Sequence, residues 1–576
     1  MPTNNLYFGD NLEILRNEIK SESIDLIYLD PPFNSKANYN RLFRSPNGRT
    51  PQAQITAFED TWHWGEQAER EFAEIVQQSN NDVSEMMQAL RRFLGENDMM
   101  AYLTMMANRL LELHRALKAT GSLYLHCDPT ASHYLKMVLD GVFGKEHYVN
   151  EIIWRRYGAH NDVGQGSQHF GRVHDTILFY PKTNVFKWNQ IFTPLDPAYV
   201  ESTYRNVEPE TGRRFTTTPL TGPGGAEKGN PVYEWKGHTR AWRYSKERMQ
   251  QLDSEGRLYY SRTGYVRQKL YLEESRGVPV QDLWTDISSL SGAHAERLGY
   301  QTQKPLQLLE RIISASSNDG DTVLDPFCGC GTAIHAAEKL KRSWIGIDIT
   351  HLAISLVEER LRHAFPGITF DVHGTPKDLD SARNLAQRNK YEFQWWACSL
   401  VKAEPYQGKK KGADSGIDGV KYFQDDKTVH KKIIVSVKAG EHVSVPMIRD
   451  LGHVINREKA SLGLFITLTK PTAPMRQESV KAGFYVNPMG ARFPKIQILT
   501  IEGLLAGIEK PHYFDLMQGG LMSRKPEREI ADVQLTFDSV PVNSIELQKT
   551  EARRKGARVA RGVQPAKARK ASRKVS

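Results

Sequence analysis

Residues 321–350 read "DTVLDPFCGCGTAIHAAEKLKRSWIGIDIT", and this stretch restricts the fold more than any other. The run TVLD reads as a strand, PFCGCGT as a turn, AIHAAEKL as a helix and SWIGID as a second strand. Two strands joined through a helix lie parallel, in a sheet covered by helices. Gly329 and Gly331 lack a Cβ, so the backbone can turn tightly and press against a ligand. The helix that follows offers free N–H groups at its start. The second strand ends in Asp348, sixteen residues after Thr332, where a carboxylate can accept from both hydroxyls of a ribose. A lone Gly-x-Gly usually marks only a turn. Here turn, helix and strand-end acid come in order, and together they point to a nucleoside. No Gly-Lys-Ser or Gly-Lys-Thr closes the turn, so it is not a phosphate loop.

A second stretch raises the same question. Residues 29–34, "LDPPFN", follow the apolar run "IDLIYL". Prolines cannot continue a sheet ladder, so the chain leaves the sheet there. One reading is a simple strand stop. The other is a rigid site at the carboxyl end of a strand, where open α/β sheets bind ligands. The texture around it is α/β over residues 1–150, with "IDLIYL" and "GSLYLHCD" as strands. "MMAYLTMMANRLLELHRAL" and "SHYLKMVLDGVF" read as helices. Residues 151–290 are rich in Gly, Pro, Tyr, Arg and Trp, with short β-like runs such as "HDTILFYP", and read as an irregular, mostly β insertion. The α/β texture returns over 291–375, "GTPKDLDSARNLAQRN" reads as a linker, and 391–510 is a further α/β unit. Residues 511–576 form a tail.

The chain has 576 residues, 39% hydrophobic and 25% charged, as in ordinary globular proteins. No apolar run approaches the roughly 18 to 20 residues that span a bilayer. The start, "MPTNNLYFGDNLEIL", lacks a basic region followed by an apolar core, and four cysteines are few for a disulfide framework. A cytoplasmic protein is expected. Cys328 and Cys330 are too close for paired zinc spacing. Net charge is +10, but residues 551–576 hold ten Lys or Arg against one acid. That tail reads as disordered, either solubilising or a nonspecific polyanion-binding arm.

"DPPF", then a long variable region, then "TQKPLQLLERII", then "DPFCGCGT", resembles the amino-group DNA methyltransferases that use S-adenosylmethionine. The order is that of the β class, in which the insertion is the target-recognition domain. "GDNLEIL", "GSLYLHCDPTASHYLKMVLDGVFG" and "HDTILFYPK" are similar to the type III modification subunits. The resemblance covers roughly residues 5 to 370. It implies a doubly wound, Rossmann-like α/β fold, with 1–150 as the catalytic half, 151–290 as the target-recognition insertion and 291–375 as the cofactor-binding half.

Catalysis would fall to Asp30, Pro31, Pro32 and Phe33. A base amine is a poor nucleophile because its lone pair spreads into the ring. The Asp30 carboxylate and the Pro31 carbonyl are two acceptors that can draw the nitrogen toward sp³, held rigid by the prolines. Phe33 can stack on a base extruded from the duplex. By resemblance, Asp325, Phe327, Gly329, Gly331 and Thr332 surround the methionine part of the cofactor, and Asp348 holds the ribose. Lys304 and Pro305 begin a helix over the cofactor, and Asp10 stands near its adenine. Gln303 and Lys304 could equally be a solvated helix start. An Asp before Pro-Pro implies adenine N6, with cytosine N4 open. In the insertion, "WRRYGAH", "RNVEPETGRRF" and "TRAWRYSKER" interleave cations with aromatics, as duplex DNA contacts require.

Residues 391–510 are similar to the Mrr-type restriction-endonuclease fold. "GIDG" and "SVK" place Asp418 and Lys438 at the nuclease positions, with Mg²⁺ as the implied metal. Ser436 stands where Glu, Asp or Gln is expected, and Glu392 would have to point inward to replace it. An active nuclease, an inactive DNA-binding relic and an unrelated interaction module all stay open. So does a bifunctional enzyme that methylates and cuts. A restriction or helicase subunit and a second copy of the chain are the further partners implied.

Overall fold

The computed structural model describes residues 4–32, 63–78, 81–158, 168–222, 224–261, 264–290, 296, 303–406, 416–426 and 430–516. All of them fall within one compact unit, Met1–Glu527. Phe33 and the basic tail lie outside the described residues.

Nine strands form the large sheet: β1 (Asn5–Phe8), β2 (Ile24–Leu29), β3 (Leu117–Cys127), β4 (Asn150–Arg155), β5 (His174–Pro181), β6 (Leu283–Trp284), β7 (Thr322–Asp325), β8 (Ser343–Asp348) and β9 (Asp371–His373). Their order is β6-β4-β5-β3-β2-β7-β8-β1-β9. Every pairing is parallel except the two made by β5. The run IDLIYL is buried along its whole length, as a strand covered on both faces must be. Its side chains alternate between two cores. Ile27 and Leu29 pack with the helices Glu66–Gln77, Asp98–Ala116 and Ser132–Phe143. Leu26 and Tyr28 pack with the helices Leu306–Ser316, Thr332–Lys339 and His351–Ala364. From β2 the chain winds toward β3, and from β7 it winds the other way toward β8. The crevice between β2 and β7 is therefore a topological switch point.

The stretch 151–290 does not stand apart from this sheet. β4, β5 and β6 are hydrogen-bonded into it, because HDTILFYP is apolar enough to be buried from Asp175 onward. Among the described residues of this stretch, separate β structure is confined to a four-stranded antiparallel sheet within residues 206–271 and to two-stranded pairs. Several cations there are engaged inside the protein. Arg213 and Arg257 both pair with Glu274, and Arg214 pairs with Glu201.

The stretch read as a linker is mostly helix. Leu379–Arg388 starts in a capping box between Asp378 and Ser381, and buries Ala382, Leu385 and Ala386. Its polar composition hid a narrow apolar stripe. Beyond it, helix Lys390–Leu400 precedes a five-stranded sheet ordered Glu404–Pro405, Gly419–Phe423, Lys431–Lys438, Leu462–Thr467, Ile496–Thr500. Among the described residues no helix is long and apolar enough to cross a membrane.

Candidate active site

Parallel register brings four strand ends to one edge. Leu26 and Ile27 of β2 stand beside Val323 and Leu324 of β7, Asp325 beside Gly346 of β8, and Asp348 beside Phe8 of β1. Strands lie about 4.8 Å apart, so the acids at these ends, Asp30, Asp325 and Asp348, follow one another across the sheet.

The turn after β7 is built on two left-handed glycines, Gly329 at φ +50° and Gly331 at φ +74°. A Cβ on Gly331 would sit 2.8 Å from Val357 Cγ2. Asp348 spans the turn: Oδ2 accepts from Gly329 N at 3.0 Å, and Oδ1 accepts from Thr350 N and Oγ1, both at 2.8 Å. Burial pushes the Asp348 carboxyl up to about 6 against those hydrogen bonds. Burial pushes Asp325 well above the carboxylate range, although Phe327 N donates to it at 3.1 Å. Beneath the turn, the buried Arg360 donates to Cys330 O and Thr332 Oγ1, both at 3.1 Å. The Cys328 and Cys330 thiols are pushed up by burial.

Beside Asp348, His351 stacks on Phe8 with ring centroids 3.5 Å apart. It is buried, held down to about 3, and among the described residues neither ring nitrogen has a hydrogen-bond partner. A glycine cradle, a strand-end acid and two orphaned nitrogens in one corner fit a nucleoside. Asp10 has other work. It caps helix Asn11–Asn17, accepting from Leu12 N at 2.7 Å, and pairs with Arg109 at 3.0 Å. Its neighbour Asn11 donates to Pro326 O at 2.8 Å and so ties β1 to the glycine turn.

On the other side of the switch point, Pro31 is buried and no described peptide bond is cis. The Lys304 ammonium is ion-paired with Asp30 Oδ2, and both side chains are largely buried. Pro305 caps helix Leu306–Ser316. Gln303 is 8% exposed and donates to Glu296 O at 2.8 Å, so this is no solvated helix start.

Behind Asp30 lies a polar chain that the sequence reading missed. Tyr28 OH meets His126 Nδ1 at 2.9 Å, and His126 Nε2 meets Asp175 Oδ2 at 2.9 Å. Arg156 Nε faces Asp175 Oδ1 at 3.1 Å. Burial alone would raise Asp175, but His126, Lys304 and Arg156 hold it below the carboxylate range. A histidine inside the strand GSLYLHCD was the available signal, because a buried imidazole needs partners.

At the C-terminal sheet, Asp418 immediately precedes strand Gly419–Phe423, and Lys438 ends the neighbouring strand Lys431–Lys438. Asp418 Oδ1 accepts from Gln394 Nε2 at 3.0 Å and Oδ2 from Val437 N at 2.7 Å. Ser436 is buried, and Glu392 accepts from Asn389 Nδ2 at 2.8 Å, turned to its own helix start. Among the described residues no three His, Cys, Asp or Glu gather as a metal site. This donor set does not fit the expected Mg²⁺, which favours carboxylate oxygens.

A family model described as DNA methylase matches residues 24–359, more than half of the chain, and one described as restriction endonuclease matches 385–487. The type II methyltransferase M.EcaI of Enterobacter cloacae is 33% identical over 45% of this chain and 57% of its own length. The Mod subunit of the type III restriction-modification enzyme StyLTI of Salmonella typhimurium is 25% identical over 59% of this chain and 50% of its own. The type II methyltransferase M.KpnI of Klebsiella pneumoniae is 23% identical over 59% and 77%. The chain thus spans about half the length of the first two relatives. It carries a restriction-endonuclease-like segment at its C-terminal side, and through residues 24–359 it belongs to the DNA methylase family.

Proposed function

We propose that this chain transfers a methyl group from S-adenosylmethionine to adenine N6 in duplex DNA. One observation carries the reading most: Asp30-Pro31-Pro32 and the glycine turn leave adjacent strands on either side of the switch point. It supports reading the first as an acceptor pair for an amine and the second as a cradle for a nucleoside.

The cofactor, when bound, supplies a methyl group already activated on a sulfonium. The chain's residues then need only hold and orient. Asp348 takes the ribose, Asp325, Phe327, Gly329, Gly331 and Thr332 the amino-acid end, and the stacked pair of His351 and Phe8 stands to one side of the base. Lys304 holds Asp30 Oδ2, which leaves Oδ1 to accept an N–H of the target amine. The Pro31 carbonyl accepts the second N–H, and both bonds strengthen as the nitrogen turns tetrahedral. Asp30 is then placed to take the proton the amine loses. Lys304 serves as a positioning residue for the acid in this scheme, whereas the family resemblance implied a place at the start of a helix over the cofactor. The likeness to a Mod subunit supports a restriction or helicase partner.

The test is incubation of unmethylated bacterial DNA with labelled S-adenosylmethionine and mass spectrometry of the digested nucleosides. N6-methyladenine, lost in Asp30→Ala, is expected. N4-methylcytosine would overturn the base assignment and keep the chemistry. No methylated base from the protein, alone or with a partner subunit, would overturn both.

A further inference from the structure

The C-terminal fold looks like a nuclease, yet its corner is arranged for a different end. We propose that Asp418, Gln394 and the Val437 N–H form a metal-free hydrogen-bonded lock, so that this fold keeps its shape without a divalent cation and the chain does not cut DNA.

The first ground is what the carboxylate already holds. Each Asp418 oxygen accepts from a neutral N–H, the Gln394 amide at 3.0 Å and Val437 N at 2.7 Å. A cation entering there would have to share each oxygen with a donor and face the positive end of an amide dipole. The second ground is the missing acid. Mg²⁺ demands oxygen ligands in near-octahedral array and releases its waters reluctantly. The Ser436 hydroxyl is a neutral substitute, and the side chain is only 4% exposed.

The third ground is helix geometry. Residues two apart on a helix point about 200° from one another. Gln394 faces Asp418, so Glu392 on the same helix cannot. It accepts from Asn389 Nδ2 and pairs with Arg388 instead. Clustered nuclease carboxylates repel one another until a metal arrives. Here one carboxylate and one amide remove that repulsion, and the Asp418 backbone is pinned as well, N to Val435 O at 2.9 Å. Lys438 keeps its strand position without the acid pair it would serve.

The experiment uses the full chain, its Asp418→Asn variant and supercoiled plasmid, with Mg²⁺ and with Mn²⁺ against EDTA. No metal-dependent nicking is expected, and Mn²⁺ titration followed by its electron paramagnetic resonance signal should be the same for both proteins. Nicking that needs metal and vanishes in Asp418→Asn, or a saturable Mn²⁺ site lost in that variant, would overturn the proposal. A second variant tests the lock itself. Gln394→Glu sets two carboxylates against each other, so its melting temperature in EDTA should fall and should recover in millimolar Mg²⁺, whereas the unmodified chain should be insensitive to Mg²⁺. A Gln394→Glu protein as stable in EDTA as the unmodified one would remove the amide from its assigned place.

Discussion

Cofactor affinity should depend on pH through Asp348, and the direction follows from its surroundings. Burial pushes this carboxyl up to about 6. Under the proposed function Asp348 accepts from ribose hydroxyls, which are donors, so the ionised form is the binding form. At pH 8 nearly every molecule is ionised, whereas at pH 5 about one in eleven is, so affinity should fall about tenfold between them. His351 beside it is held down to about 3 and stays neutral throughout. The sign for stability is opposite. A group whose folded value lies above its ordinary 3.8 binds its proton more tightly when folded. The charged form therefore costs stability above pH 6, and that cost disappears as pH falls toward 4. The gap corresponds to about 3 kcal/mol at most. Acid should raise global stability while it loosens the ligand.

The assay is calorimetric titration with S-adenosylhomocysteine from pH 5 to 8 at fixed ionic strength. Hydrogen-exchange protection of Gly329, corrected for intrinsic rate, follows the turn without ligand. Asp348→Asn should bind weakly and without a slope. A flat profile for the unmodified protein would refute the reasoning. An unchanged slope in Asp348→Asn would move the titration to Asp325, which burial pushes in the same direction.

Three further outcomes follow from single contacts. Lys304→Met should lower the methylation rate constant about a hundredfold, with S-adenosylhomocysteine affinity kept and Lys304→Arg restoring part of the rate; lost affinity at an unchanged rate would return Lys304 to the cofactor. Asp175→Asn removes one partner from the buried His126 and Arg156 contacts and should cost about 3–5 kcal/mol in urea unfolding. Gly331→Ala sets a Cβ 2.8 Å from Val357 at φ +74°, and should lower the melting temperature by a strain of about 1–3 kcal/mol while weakening cofactor binding.

Local chemistry made the glycine turn and the strand-end acids legible, because each depends on neighbours within a few residues. DTVLD, the two glycines and SWIGID become β7, the left-handed turn and β8 as read. The contacts that complete the site come from far along the chain. Lys304 lies 274 residues from Asp30, and His126 lies 98 from Tyr28. No window of sequence contains both partners. Two readings failed on composition. HDTILFYP reads as β-like, but the insertion texture hid that β4, β5 and β6 join the large sheet, and the polar linker hid a capped helix. Asp10 shows a subtler limit, since an acid just before a helix can serve as a cap, a ligand or both, and the cap is the role its local contacts make visible.

The strand-end acids also differ in what faces them, and this divides the labour of the site. Asp30 is held by an ammonium, Lys304. The hydrogen bonds that Asp325 and Asp348 accept come from neutral N–H and O–H groups, and burial raises both. None of those donors carries a charge, so a cationic ligand that approaches the two carboxylates gains where a neutral one does not. Under the proposed function the cofactor brings a sulfonium, and its product has lost that charge. A unit charge about 10 Å away at an effective dielectric of about 20 is worth roughly 1.7 kcal/mol, about a factor of fifteen. An analogue with an ammonium in place of the sulfonium should therefore bind about tenfold more tightly than S-adenosylhomocysteine at pH 8. The gap should narrow below pH 6, as Asp348 takes up its proton. Equal affinities at pH 8, or a gap that ignores pH, would mean that the two acids do not sense the sulfur position, and product release would need another cause.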